Sequence, residues 1–301
     1  MPDMTTRSGH SDSSPDWPEI SVRIDTPTHL SEADDTASIV EVLAAGEVHQ
    51  LGRIPHASND TRLITVSAGD TVLRAVYKPA AGERPLHDFP HQSLAGREVA
   101  CFELGQAIGL PVAPPTVMRT DMPAGPGSVQ AYVETLSPGD ALVDIFEPDE
   151  VPEGWAAIFA AMSEDGEDLI VAHALAPALR QIALFDLIVN NADRKASHIL
   201  SGHYRFDGTA PGVFGIDHGL TFHAEPKLRT VLWGFCGEPF TPAEARLLAE
   251  VAESTELHHR LGNWLTDAEA DATAARAAGL VDLGAFPLPP ATRTPIPWPP
   301  L

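Results

Sequence analysis

Lysine is nearly missing from this chain of 301 residues: three lysines stand beside 16 arginines. Against these bases are 42 acids, for a formal net charge of −23. So acidic a chain repels nucleic-acid phosphate and anionic lipid in bulk, which excludes nucleic acid as a non-specific partner but leaves room for a local basic pocket. Cysteine is scarce as well. Cys101 and Cys236 make no CxxC pair and no disulfide framework, so a reducing, cytoplasmic setting is expected. No apolar run approaches the roughly 20 residues of a membrane-spanning helix, and the polar start (1–14) lacks the apolar centre of a signal peptide. What is present, 44% hydrophobic and 20% charged residues, is the composition of a globular protein of about two domains or lobes.

A GC-rich genome accounts for the total of three lysines but not for their positions. Lys78, Lys195 and Lys227 each fall in a motif-like segment. An ammonium is a compact point charge and a guanidinium a planar fork, so a site built for one tolerates the other poorly.

Residues 1–34 are rich in Ser, Pro, Asp and Thr without periodicity and are expected to form a disordered tail. An N-terminal lobe over 35–136 is predicted from a helix at Thr36–Ala45, strands at Glu47–Ile54, Arg62–Ser67 and Thr71–Tyr77, a helix at Ser93–Ile108, and strands at Val117–Met118 and Ser128–Glu134. No Lys or Arg occurs between Arg119 and Arg180, and ten acids crowd Asp140–Asp168. That predicts a solvated acidic linker or insertion over 137–168, with a short helix near Trp155–Ala161, which could contact a partner. A helical run from Leu169 to Val189 opens a mostly helical lobe over 169–284, with capping boxes at Thr241/Glu244 and Thr266/Glu269. Seven prolines in 287–301 make the end (285–301) an extended tail. The fold class expected is α+β: a small antiparallel β lobe with one helix, then the helical lobe.

Three segments concentrate the chemistry. Phe185–Leu200 carries Asn190, Asn191, Asp193, Arg194, Lys195 and His198 between apolar flanks, and polar groups so placed are mutually satisfied or functional. Val213–Leu220 is a short apolar strand ending in Asp217, where an acid beside glycine could hold a divalent cation against a phosphate. Arg74–Pro79 ends an apolar strand in Lys78, which is paired or faces an anion, and Glu98 is a partner 20 residues on. A strand lysine, a helix glutamate and two ordered aspartates are the parts of phosphoryl transfer. The absence of GxxxxGK[ST] excludes a P-loop enzyme. His198, His203, His218 and His223 match no usual zinc spacing.

The set AVYKP (75–79), GERPL (82–86), REVA (97–100), NNADRK (190–195), IDHGLTFH (216–223) and KLRTVLW (227–233) resembles the atypical kinases of the phosphatidylinositol 3-/4-kinase superfamily. Type II phosphatidylinositol 4-kinases, HipA-like kinases and an actinobacterial group filed with them are the nearest in pattern. The resemblance covers about 46–240 and implies a two-lobed protein-kinase-like fold, with ATP and Mg²⁺ as cofactors and a hydroxyl acceptor. By resemblance, Lys78 contacts the α/β-phosphates and pairs with Glu98, Ser58 and Asn59 cover the nucleotide, and Gln130, Tyr132 and Val133 lead into the adenine-binding hinge. Asp193, with Asn190, Arg194 and Lys195 around it, is the catalytic acid, and Asp217 the main metal ligand. His198 stands where such kinases often carry a metal-binding Asn; imidazole suits Zn²⁺ or Mn²⁺ better than Mg²⁺, so Mn²⁺ is possible. A nucleotide-binding pseudokinase and an AMP transferase on the same residues are the alternatives. The acceptor stays open among protein, soluble metabolite and lipid, though the acidic surface argues against routine work at an anionic membrane. Lys227 and Arg229 either bind it or brace the lobe.

Overall fold

Period-two alternation dictates the strand that matters most. Residues Thr71–Pro79 form β3, whose burial alternates along its whole length. Leu73, Ala75 and Tyr77 enter a core, and Arg74, Val76 and Lys78 all face the other way. The computed structural model describes residues 36–301 apart from 56, 58, 136–140, 164 and 205–210. The expected N-terminal tail therefore lies outside the described residues.

Helix α1 (Thr36–Ala45) precedes strands β1 (Glu47–Arg53) and β2 (Arg62–Ala68), then β3, helix α2 (Leu94–Ala107), β4 (Thr116–Arg119) and β5 (Gly127–Ala131). The five strands make one antiparallel sheet in the order β1-β2-β3-β5-β4. Its core joins Ile39 and Leu43 of α1 to Ile64, Val66, Leu73, Ala75, Tyr77 and Val129. The predicted β-β-β-α-β-β order is what forms. Beyond β5, Tyr132 and Val133 carry the chain to β6 (Glu134–Thr135), in a second sheet ordered β11-β10-β6 with β10 (Ile199–His203) and β11 (Gly212–Gly215).

The acidic segment, expected as a solvated linker or insertion, is built into a sheet. Strands β7 (Val143–Phe146), β8 (Trp155–Met162) and β9 (Asp168–Ala174) form a third antiparallel sheet in the order β7-β9-β8. The predicted helix near Trp155–Ala161 is thus a strand, and the helical run from Leu169 divides: strand first, then α3 (Pro177–Val189). Two physical reasons explain this. A short apolar run has no periodicity that separates buried strand from buried helix. Pro177 sits at the first helical position, where its missing N–H costs nothing, so α3 starts there and not at Leu169.

Helices α4 (Pro242–Glu253), α5 (Thr255–Leu261) and α6 (Asp267–Leu283) complete the chain, and both predicted capping boxes are formed. They pack with α3 and the inner face of α2 around a second, larger core that includes Leu104, Phe185, Leu248 and Ala277. The half after residue 137 is therefore less helical than expected, since strands β7–β11 share it with four helices. The described fold is α+β, and no helix among the described residues is long and apolar enough to cross a membrane.

His173 docks the third sheet. Its ring is fully buried, bonds the Ala174 carbonyl through Nδ1 (2.8 Å) and accepts the Gly234 N–H at Nε2 (3.0 Å). A side chain on Gly234 would strike that ring, its Cβ lying 2.6 Å from Nε2. Burial lowers the pKa of His173, only partly offset by the Ala174 bond. Below about pH 6.5 the unfolded chain binds a proton that the folded one refuses, so stability falls on acidification by up to about 1.4 kcal/mol per pH unit. Urea unfolding measured at a series of pH values down to about 5.5 is expected to show this loss. His173→Gln, which keeps a donor and an acceptor, is expected to give a flatter profile; one parallel to the wild type would remove His173 from the account.

Candidate functional site

A cavity of about 880 Å³ opens between the cavity-facing side of β3 and the loops after α3 and β11. Arg74, Val76 and Lys78 line it from β3, Gln130 from the neighbouring β5, and Tyr132 and Val133 from the crossing to β6. Leu94, Ala95 and Glu98 line it from one face of α2. The helix is aimed there by Glu83 of the GERPL segment, to which the sequence assigned no role. Ser93 makes no capping bond, and the Glu83 carboxylate instead accepts the N–H groups of Leu94 (3.2 Å) and Ala95 (2.9 Å).

All three lysines line this one cavity. Arg53, Arg74, Arg84 and Arg229 join them, against Glu83, Asp88, Glu98, Asp193 and Asp217. In a chain of net charge −23, the described lining of the cavity carries more bases than acids. Lys227 is tied to Asp88 at 2.8 Å and Lys195 to Asp193 at 3.2 Å. Lys78 bonds Glu98 (2.6 Å) and Asp217 together. Burial opposes its charge, but the two carboxylates overcome this and hold its pKa above the usual lysine range.

The loop after α3 is braced from behind. Asn190 ends the helix in the left-handed conformation (φ 55°), donates to the carbonyls of His223 (2.8 Å) and Glu225 (2.7 Å), and accepts the Lys227 N–H (2.8 Å). Arg194 is fully buried and meets Asp186 bidentately (2.9 Å). Its guanidinium also donates to the carbonyls of His198 (3.1 Å) and Ile216 (2.8 Å) and to His218 Nε2 (2.8 Å). Neither Asn190 nor Arg194 lines the cavity; both brace its loop from behind. Asp193 does line it, with its N–H held by Asn191 Oδ1 at 3.0 Å. Burial raises the pKa of Asp193 and the Lys195 ammonium opposes that, which suits a carboxylate that accepts a proton.

Asp217 adopts φ 57° in the turn after β11. Among the described residues four non-glycines have positive φ, and Asn190, Asp217 and Phe222 are three of them. Such backbone costs energy and persists where surroundings impose it, commonly at functional sites. Here Glu98 Oε2 accepts the His218 N–H (3.0 Å), and Lys78 holds the Asp217 carboxylate. Burial works against the charge of Asp217, yet Lys78 and His198 keep its pKa below the usual carboxylate range.

His198 Nδ1 bonds the Asp193 carbonyl (2.8 Å), which can only accept, so Nδ1 carries the proton. Burial pushes the imidazole down to about 4 against the pull of Asp217, so the ring is neutral at pH 7. Its bare Nε2 then faces Asp217 Oδ2 at 3.3 Å. A carboxylate and a bare imidazole nitrogen facing each other are groups that could both ligate a divalent ion. Among the described residues no three His, Cys, Asp or Glu side chains converge on one point. An ion bound here would complete its shell with ligand or water oxygens, as Mg²⁺ usually does.

Of the remaining expected residues, Asn59 lines the cavity and its Oδ1 accepts the Arg84 N–H (2.9 Å), while Ser58 lies outside the described residues. Gln130 is buried and donates to Thr116 Oγ1 at 2.8 Å.

Over 270 residues the chain is 41% identical to Protein Rv2133c of Mycobacterium tuberculosis (strain ATCC 25618 / H37Rv), a match that spans 86% of this chain and 94% of that protein. The chain belongs to the Rv2133c family. No family model matches it. The Rv2133c match is close to full length, so the relation extends beyond any one motif. Two residues of this Rv2133c-family site left no readable signal in sequence. Asp186 looked like one more residue of an apolar helix, and Trp298, which lines the cavity, sits in a proline-rich tail.

Proposed function

We propose that this chain is a metal-dependent phosphotransferase that moves a phosphoryl group from ATP to a hydroxyl, with a two-lobed kinase-like arrangement. The observation that carries the reading is the triad Lys78–Glu98–Asp217, drawn from a strand, a helix and a post-strand turn, beside Asp193 in a cavity richer in bases than acids. Catalysis of phosphoryl transfer is mainly positioning and charge stabilisation, and this set supplies both. Lys78, paired on its protein side, presents its ammonium toward the cavity where nucleotide phosphates would lie. Asp193 accepts the proton of the acceptor hydroxyl as that oxygen attacks the γ-phosphorus. The bond from phosphorus to the β,γ-bridging oxygen breaks, and ADP departs with that oxygen. Asp217 and His198 are the residues that would hold Mg²⁺ or Mn²⁺, which when bound neutralises charge on the phosphates. Val133 and Tyr132, at the crossing between two sheets, form the wall available to adenine.

Calorimetric titration with ATP–Mg²⁺ tests the reading, and undetectable binding would end it. Lys78→Met is expected to weaken nucleotide binding by about tenfold or more, the worth of one charge-assisted contact of about 1.5–3 kcal/mol. Wild-type affinity in that variant would take Lys78 off the phosphates.

A further inference from the structure

The proline-rich tail is not loose. Arg293 Nη1 donates to the Leu228 carbonyl (2.9 Å), and the Pro295 carbonyl accepts the Thr230 N–H and the Trp233 indole N–H, both at 3.0 Å. The Pro300 carbonyl accepts the Ala196 N–H at 2.9 Å. These anchors lie on the two segments that flank Asp193 in space, 194–196 and 228–233, which are themselves paired through Arg194 and Thr230. Prolines at 295, 297, 299 and 300 restrict the backbone, so little entropy is lost in holding this strap. Between its anchors stands Trp298, 85% exposed and lining the cavity mouth. Arg229 lines the same mouth, and its guanidinium has no hydrogen-bond or ion-pair partner among the described residues. Its own carbonyl accepts the N–H of Arg194, the residue after Asp193, at 3.0 Å, which sets it beside the loop of the proposed base.

We propose that this strap forms the wall of the acceptor subsite, and that the acceptor is a soluble anionic sugar or cyclic polyol. Trp298 stacks on the apolar C–H face of the ring, and Arg229 takes its phosphate or carboxylate. The proposal rests on the phosphotransferase reading above. An indole presents a flat apolar face with a polar edge, suited to a ring whose edges are hydroxyls and whose faces are C–H. A guanidinium is built for a planar or phosphate anion. The net charge of −23 disfavours an anionic bilayer as the source of that ring.

The test uses the full chain saturated with ADP and Mg²⁺, titrated calorimetrically with glucose, glucose 6-phosphate, glucuronate and myo-inositol 1-phosphate, and with phosphatidylcholine vesicles containing phosphatidylinositol. At least one anionic ring is expected to bind, and Trp298→Ala to weaken it by about tenfold with ADP affinity unchanged. So exposed a side chain can be removed without loss of fold. Arg229→Gln is expected to abolish the preference over neutral glucose. Failure of ADP–Mg²⁺ to bind would overturn the underlying reading, and this inference with it. If ADP binds but no soluble anionic ring does, or only the vesicles do, or Trp298→Ala binds as the wild type, the subsite alone is overturned.

Discussion

Asp217→Asn is expected to lower ATP turnover by on the order of 10³-fold, a loss typical of removing one preorganised charge from a reaction centre. The substitution is chosen for what it leaves alone. Asn has the size of Asp and tolerates the left-handed backbone seen at φ 57°, so the turn after β11 survives. Only the negative charge goes, and with it one of the two carboxylates on Lys78 and the carboxylate that faces His198 Nε2. The remaining acid, Glu98, still pairs Lys78, so the β3–α2 connection persists and thermal unfolding should stay close to the wild type. Initial-rate measurements of ADP release, beside a melting curve, check both halves. Undiminished turnover in a folded Asp217→Asn protein would remove Asp217 from the mechanism and leave it as a structural turn residue.

Arg194→Ala is expected to destabilise the fold by about 3–5 kcal/mol, the usual cost of stripping one partner from a buried ion pair. Three losses combine. The Asp186 carboxylate, fully buried, is left without its bidentate partner. The carbonyls of His198, which faces Asp217, and of Ile216, which precedes it, lose the Arg194 donor. A void opens where the guanidinium lay: Gly215 has no side chain because a Cβ there would fall 2.8 Å from Nη2. Urea unfolding measures the effect. Replacing both Asp186 and Arg194 with leucine is expected to recover much of the stability, since an apolar pair of similar volume is often neutral. A loss below about 1 kcal/mol for the single variant would place the pair among ordinary surface contacts.

The two variants separate two kinds of residue that looked alike in sequence. In Asn190–Lys195 every side chain but that of Ala192 is polar, and nothing in the string tells which faces the cavity. The helix end decides it. Asn190 caps α3 in the left-handed region, Asn191 holds the Asp193 N–H, and Arg194 turns inward to Asp186, which leaves Asp193 and Lys195 on the cavity side.

By itself the sequence determined the elements that short-range physics controls. Alternation over 71–79 set which face of β3 carries Lys78, and Thr-x-x-Glu set the starts of α4 and α6. Composition accounted for there being only three lysines and not for their positions, and all three meet in one cavity. Only the tertiary structure decided the rest. Strands β7–β9 depend on a partner strand supplying hydrogen bonds, which no window of residues contains. The cap on α2 comes from Glu83, 11 residues before Leu94, and the wall at the cavity mouth from Trp298, over a hundred residues past Asp193. Periodicity reports which face of an element is buried, whereas the site is made where faces of distant elements meet, and that is settled by packing.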